Sequence, residues 1–155
     1  MIDAARTAVP GSQPGSVPAG VRRRVQRVLA DITAQDGAAP TVRWLTGPSA
    51  VAQGESAAGE ADVVVAHDVL PHASDAAAAR ALMAALARRS RRHLIISAPR
   101  EPLARAGITL AGRLLGGRRP QRFSAPDLLR LASTAGAVRA THLPPLWTVL
   151  WVRRT

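Results

Sequence analysis

One strand–helix–strand segment constrains the fold of this chain more than any other feature. Ala61–Ala66 is a continuous apolar run with the length of a buried strand, and "RHLIISAP" (Arg92–Pro99) is a second such run. Between them, Ser74 or Asp75 can cap a helix that ends near Ser90. The segment is long enough for a right-handed βαβ unit, which takes roughly 30 residues or more, and such a unit makes the two strands parallel neighbours in one sheet. The chain is therefore predicted to be an α/β protein.

The flanking segments add further elements to this unit. Upstream, apolar residues recur on one helical face from Val21 to Ile32, and Pro40–Gly47 has the pattern of a short strand. Downstream, Ser124 caps a well-marked helix, and two β-type runs follow it, Ala137–Leu143 and Leu146–Val152. Only two prolines separate the main parts of these runs, so they should form an antiparallel pair at the end of the sheet.

Length and composition predict one soluble domain. Residues 1–20 are rich in Pro and Gly and are predicted to be a flexible tail, whereas residues 21–155 form the domain, with a loop at 49–59 and a helix-compatible stretch at 103–115. The chain has no cysteine, which excludes disulfides, thiolate chemistry and cysteine-ligated zinc. No apolar run approaches the roughly 20 residues that span a bilayer, so a cytoplasmic location is expected.

The formal net charge of +11 raises the possibility of a nucleic-acid ligand. All 21 basic residues are arginine, however, and they lie in separate clusters along the sequence rather than in one stripe. Aromatic residues for stacking on bases are few, with three Trp, one Phe and no Tyr. Nucleic-acid binding is therefore the third choice among the functions considered, since charge alone argues for association and not for a fold.

From about Pro40 to the C-terminus, the order of motifs resembles the second half of a class I S-adenosylmethionine-dependent methyltransferase. "ADVVVAHDVLPHASD" resembles the family's fourth strand and the loop after it, and "RHLIISAPREPLAR" resembles its fifth strand with the Pro-x-Glu-Pro turn of a small-molecule branch. "GGRRPQRFSAPDLLRLASTAGAV" and "PPLWTVLWVRR" resemble the later helix and the last strand. The resemblance implies an incomplete Rossmann-like sheet of parallel strands with a C-terminal antiparallel hairpin. It also implies S-adenosylmethionine as cofactor and a small-molecule acceptor.

The chain departs from the family pattern upstream of the βαβ unit. The Gly-rich turn after the family's first strand and the acidic residue that ends its second strand are both absent, and Gly47-Pro48 stands where the family often has Gly-Asp. In the family, the first two strands lie between the third and the fourth. Here the strand that resembles the third must pair directly with the fourth or leave edges open. We therefore expect a truncated or degenerate methyltransferase domain.

The resemblance also implies roles for particular residues at the carboxyl ends of the strands, where open α/β sheets bind ligands. His72 corresponds to a histidine that can act as a base near neutral pH. His67, Asp68 and His72 lie at i, i+1 and i+5 with no further convergent ligand, so no metal site is predicted. The implied assignments are cofactor binding by Gly47, Ala66, His67 and Asp68, catalysis by His72, and acceptor binding by Arg100, Glu101 and Arg105.

Other polar and aromatic side chains are assigned to the core. Trp147 and Trp151 lie four apart in a strand and so on one face, and His93 and His142 flank apolar strands. Besides the enzyme, a second function stays open. The chain can be a non-catalytic interaction module, a half-domain that a partner chain completes with the missing strands.

Overall fold

The computed structural model describes residues 17–47, 60–99, 123–143 and 147–154. The predicted loop at 49–59 and the helix-compatible stretch at 103–115 lie outside these residues, as does most of the predicted tail. The first helix begins two residues earlier than its apolar pattern indicates, at Ala19, and Val17 before it is buried.

Within the described residues, five strands form one mixed sheet in the order β1-β2-β3-β5-β4. The first three are parallel, and β5 runs antiparallel to both β3 and β4. The predicted parallel sheet with a C-terminal antiparallel hairpin is confirmed. The strands are β1 (Val42–Thr46), β2 (Ala61–His67), β3 (Ser90–Pro99), β4 (Ala137–Leu143) and β5 (Trp147–Arg153).

Three helices have ends that local sequence signals explain. Helix α1 (Ala19–Asp36) ends at Gly37, which adopts the left-handed conformation with φ 71°. Helix α2 (Ala76–Arg89) begins where the Asp75 carboxylate accepts a hydrogen bond from the Ala78 backbone N–H. Helix α3 (Ala125–Ser133) begins at Ser124, whose hydroxyl accepts a hydrogen bond from the Asp127 N–H. A short 3-10 turn (Leu70–His72) lies between β2 and α2.

The helices cover the two faces of the sheet, because alternate side chains of a strand point to opposite sides. On one face, Val63, Val65 and Ile95 pack against the apolar stripe of α1. On the other face, Val64, Leu94 and Ile96 pack with residues of α2 and α3. Asp36, the last residue of α1, contacts the beginning of β3. Helix α1 therefore runs antiparallel to the parallel strands.

The strand that resembles the family's third strand is β1, and it pairs directly with β2, which resembles the fourth. Thr46 pairs with His67 and Val42 with Val63 in parallel register. Within the described residues, β1 forms one edge of the sheet and β4 the other. Because β1, β2 and β3 are parallel neighbours, their carboxyl ends lie side by side at the same end of the sheet.

Candidate functional site at the carboxyl ends of the parallel strands

The two strands β1 and β2 both end in a residue with left-handed backbone geometry. Gly47 follows β1 with φ 65°, and Asp68 follows β2 with φ 52°. Asp68 is the one residue other than glycine with positive φ in the described part of the chain. Aspartate tolerates this conformation better than most residues, but it still costs free energy, and such strain collects at functional sites.

Backbone hydrogen bonds hold these two turns against the neighbouring strands. The Gly47 N–H donates to the His67 carbonyl at 3.1 Å, and the Asp68 N–H donates to the Ser97 carbonyl at 2.9 Å. A side chain on Gly47 would meet no atom of the described residues within 4 Å, and the positive φ is the feature that favours glycine there. The side chains of Asp68 and His72 are thus presented from a fixed backbone.

His67 lies beneath this edge as a buried neutral group. Only 4% of the residue is exposed, and its Nδ1 lies 2.7 Å from the Ser97 hydroxyl oxygen on the neighbouring strand. Its ring packs on the indole of Trp147, with centroids 4.7 Å apart. Burial lowers the pKa of His67 below its ordinary value, and the nearby Asp68 carboxylate offsets part of that shift. His67 is therefore neutral at pH 7.

Asp68 and His72 form the accessible part of the site. The Asp68 Oδ2 lies 3.4 Å from the His72 Nε2, and about a third of each side chain is exposed, 36% and 32% respectively. The 3-10 turn that contains His72 places it four residues after Asp68 on the same side. The arrangement offers a carboxylate and an imidazole together, which can accept and pass on a proton or bind hydroxyl and amine groups.

The structure thus brings Gly47, His67, Asp68 and His72 together at the carboxyl ends of β1 and β2, and their roles in binding and catalysis stay predictions. The side chain of Ala66 is buried in the core on the α2 face, and its contact with the cofactor stays a prediction. The predicted acceptor residues Arg100, Glu101 and Arg105 lie outside the described residues. No group of three or more potential metal ligands occurs among the residues that the structure describes.

Two members of the site were not singled out from the sequence. Ser97 is a polar residue inside the apolar run of β3, and that interruption was the available signal; its partner His67 lies thirty residues away in the chain. Trp147 was assigned to the core together with Trp151. Trp151 is buried, 9% exposed, whereas Trp147 is half-buried and its ring packs on His67, the residue before Asp68.

Comparisons with known proteins agree with the fold. The chain matches no protein-family model and no curated protein sequence. Among solved structures, it is similar to magnesium protoporphyrin IX methyltransferase from Synechocystis PCC 6803 with bound S-adenosylhomocysteine, with 17% identity and a TM-score of 0.55 over 88% of this chain and 84% of that one. The N-methyltransferase NodS from Bradyrhizobium japonicum WM9, also in complex with S-adenosylhomocysteine, gives 12% identity and a TM-score of 0.52 over 90% and 89% of the two chains.

A third similar structure extends the comparison to O-methyl transfer. An O-methyltransferase family protein from Burkholderia thailandensis gives 19% identity and a TM-score of 0.52, over 82% of this chain but 47% of that one. These likenesses show that the chain has a class I S-adenosylmethionine-dependent methyltransferase-like fold. In the described part of the chain, no helix has both the length and the apolar character to cross a bilayer.

Proposed function

We propose that this chain is an S-adenosylmethionine-dependent methyltransferase-like protein that acts on a small-molecule acceptor. The observation that carries the proposal is the polar cluster of Asp68, His72, His67 and Ser97 at the carboxyl ends of β2 and β3. Ligands of open α/β sheets bind at this edge. Structurally similar methyltransferases crystallised with S-adenosylmethionine or S-adenosylhomocysteine support the assignment of the cofactor.

The residues present suit one part of such a cofactor. Gly47 leaves open space beside the end of β1, and the exposed Asp68 carboxylate can accept hydrogen bonds from hydroxyl or amine groups. The Gly-rich turn and the second-strand carboxylate of the family have no counterpart in the sequence. We therefore propose that Gly47, His67 and Asp68 hold the cofactor on the β1–β2 side, in a domain that is truncated or degenerate relative to the family.

The chain's own residues need to do little chemistry. When bound, S-adenosylmethionine supplies a methyl group that its positively charged sulfur already activates. Catalysis then depends on the alignment of the acceptor and on removal of its proton. We assign proton removal from the acceptor to His72, which Asp68 orients from 3.4 Å. Ser97 has a positioning role, because its hydrogen bond holds the buried ring of His67. Contacts of Arg100, Glu101 and Arg105 with the acceptor remain part of the proposal.

A thermal melt of the purified chain with and without S-adenosylhomocysteine tests the cofactor assignment. A ligand at about 100 times its Kd that binds only the folded state adds roughly 2.7 kcal/mol, which raises the melting midpoint of a chain of this size by roughly 5–10 °C. Asp68→Asn should remove most of the shift, whereas Asp31→Asn, on the exposed side of α1, should keep it. No shift in the wild-type chain, or an equal loss in both variants, would contradict the proposal.

A second candidate function is supported by the open edge of β1. Thr41 and Gly47, at the two ends of β1, form backbone hydrogen bonds with β2. Because the backbone groups of successive residues in a strand point alternately to its two sides, those of Val42 and Trp44 point away from β2. Within the described residues, β2 is the one strand that pairs with β1, so these outward backbone groups face no second strand. An interaction module completed by a strand of a partner chain would use this edge. Such a module should give a cooperative melt that S-adenosylhomocysteine does not shift.

A further inference from the structure

Two groups of arginines that are far apart in the sequence meet at the edge of the sheet where β3 begins. Arg88–Arg92 spans the end of α2 and the beginning of β3. Arg153 is the last residue of β5, and Arg154 follows it. The Arg154 N–H donates to the Arg92 carbonyl at 2.9 Å. The Arg154 guanidinium Nη1 donates to the Ser90 carbonyl at 2.5 Å, across 64 residues of chain. We call this surface the arginine edge and define it as Arg88, Arg89, Arg91, Arg92, Arg153 and Arg154.

The arginine edge carries more positive than negative charge. Arg91 pairs with Glu60 at 3.2 Å, and Arg92 pairs with Asp36 at 2.9 Å. Asp62 lies near enough that both arginines help to lower its pKa, although its hydrogen bonds to Thr41 contribute most. Among the described residues, these three carboxylates lie near six guanidinium groups, so this part of the surface keeps an excess of positive charge. Arg88 and Arg153 are exposed, and no carboxylate among the described residues is paired with either of them.

The chemistry of this surface selects the phosphate backbone of a double-stranded nucleic acid as its ligand. Guanidinium groups bind phosphate oxygens through two parallel hydrogen bonds. Single strands need exposed aromatic rings on which bases stack, but the nearest indole, Trp151, is buried with the Arg139 guanidinium 5.4 Å from its ring centre. Membrane surfaces need apolar anchors, and the exposed side chains of the arginine edge are all charged.

We propose that the arginine edge binds duplex nucleic acid through its backbone phosphates, without reading the base sequence. In the sequence, the separation of the arginine clusters argued against such a site, but the fold brings two of those clusters together. Along β3, this edge at Ser90–Arg92 is separated from Ser97 of the polar cluster by roughly 20 Å. Binding at the arginine edge therefore does not depend on the proposed methyl transfer, and either can fail without the other.

Fluorescence anisotropy with a labelled duplex of about 20 base pairs tests the proposal across a salt series from about 50 to 200 mM. The variant Arg88→Glu/Arg153→Glu reverses two charges on the arginine edge. The control Arg23→Glu/Arg27→Glu makes the same change in net charge on exposed positions of α1. We expect the first variant to lose at least about tenfold in affinity, with a logarithmic salt slope shallower by about 0.9 for each lost phosphate contact. The control should change affinity less than about threefold, since its arginines lie outside the contact.

Three outcomes would overturn the proposal. The first is no duplex binding at the lowest salt. The second is an equal loss of affinity in the two variants, which would indicate diffuse attraction by the net charge. The third is binding to vesicles that contain phosphatidylserine but not to the duplex. Arg88→Gln/Arg153→Gln keeps the test valid if charge reversal disturbs folding. It removes the same positive charges without introducing carboxylates, and it should show about half the loss in salt slope or more.

Discussion

The two ends of the sheet carry the same pair of residue types in different surroundings. At the carboxyl ends of the parallel strands, His67 packs on Trp147 with ring centroids 4.7 Å apart. At their amino ends, His93 packs on Trp151 at 5.8 Å. Both histidines are 4% exposed, and all four residues lie on the α1 face of the sheet.

The difference lies in where the polar atoms find partners. At the amino ends, the Trp151 indole N–H donates to the His93 Nδ1 at 3.2 Å, so the neutral ring carries its proton on Nε2, which lies 3.7 Å from the Asp36 carboxylate. Asp36 in turn accepts a hydrogen bond from Arg92 at 2.9 Å. This chain of contacts closes within the protein and joins the end of α1 to the sheet.

At the carboxyl ends, the corresponding contacts stop at the surface. His67 is hydrogen-bonded to Ser97 on the neighbouring strand, but Asp68 and His72, which follow it in the chain, are partly exposed. One histidine–tryptophan pair therefore stabilises the attachment of a helix, whereas the other forms a floor beneath groups that can meet a ligand. A buried histidine alone does not mark a functional site; the accessible polar groups next to it do.

The largest expected effect on stability comes from close packing at the amino ends of the parallel strands. Gly136, before β4, has φ 152°, and a side chain there would collide with the backbone carbonyl of Arg153. Gly136→Ala should lower the free energy of unfolding by roughly 3 kcal/mol, measured by urea denaturation. Gly37→Ala is the matched control, because Gly37 also has positive φ but open space around it, and it should cost about 1 kcal/mol. Equal costs would mean that backbone conformation, and not the close approach to β5, decides both.

The two tryptophans give the next largest contrast. Trp151→Phe removes the indole N–H and leaves the buried Nδ1 of His93 without its donor, so it should lower the free energy of unfolding by about 1–2 kcal/mol. Trp147→Phe keeps an aromatic ring on His67, and the Trp147 indole N–H has no partner among the described residues to lose. It should cost less than about 0.5 kcal/mol. A reversed order in urea denaturation would show that the carboxyl end contributes more to stability than its contacts indicate.

Acidification should weaken both ends by a smaller amount. Burial lowers the pKa of His67 and of His93 below the ordinary value of 6.5, although Asp68 and Asp36 offset part of this. The unfolded chain then binds more protons than the folded one, so the stabilisation is complete above about pH 6.5 and is lost as the pH falls through the lowered values. Arg92 and Arg153 also lower the pKa of His93.

The pH effect distinguishes the two histidines by spectroscopy. Protonation of His93 puts a proton on Nδ1, which then cannot accept from the Trp151 indole, so the tryptophan fluorescence should change as the pH is lowered. His93→Gln should remove that change and reduce the loss of stability between about pH 7 and pH 5. His67→Gln should reduce the loss of stability but keep the change at Trp151. A pH-independent free energy of unfolding in the wild-type chain would contradict the assignment of both histidines as neutral.

The sequence was sufficient for elements that depend on local signals. The βαβ unit follows from two apolar runs and the spacing between them, and the helix caps and the antiparallel hairpin follow from patterns within a few residues. Each is confirmed, with Asp75 and not Ser74 as the cap of α2. The side-chain partners were not predictable in the same way. Ser97 faces His67 only because β2 and β3 pair in one register, and register depends on packing across the whole sheet. The contact of Asp36 with Arg92 likewise spans 56 residues and requires the docked helix.

The smallest expected effect on stability is at Asp68, and it separates a functional carboxylate from a structural one. Asp68→Gly removes the strain of φ 52° but increases the freedom of the unfolded chain, so the two contributions nearly cancel and the free energy of unfolding should change by less than about 0.5 kcal/mol. Asp75→Ala removes the cap of α2 and should cost about 1 kcal/mol. The effects on ligand binding should be opposite: the midpoint shift with S-adenosylhomocysteine is lost in Asp68→Gly and kept in Asp75→Ala. If Asp68→Gly instead destabilises the chain as much as Asp75→Ala and keeps the shift, Asp68 has a structural role in the turn after β2 and does not bind the ligand.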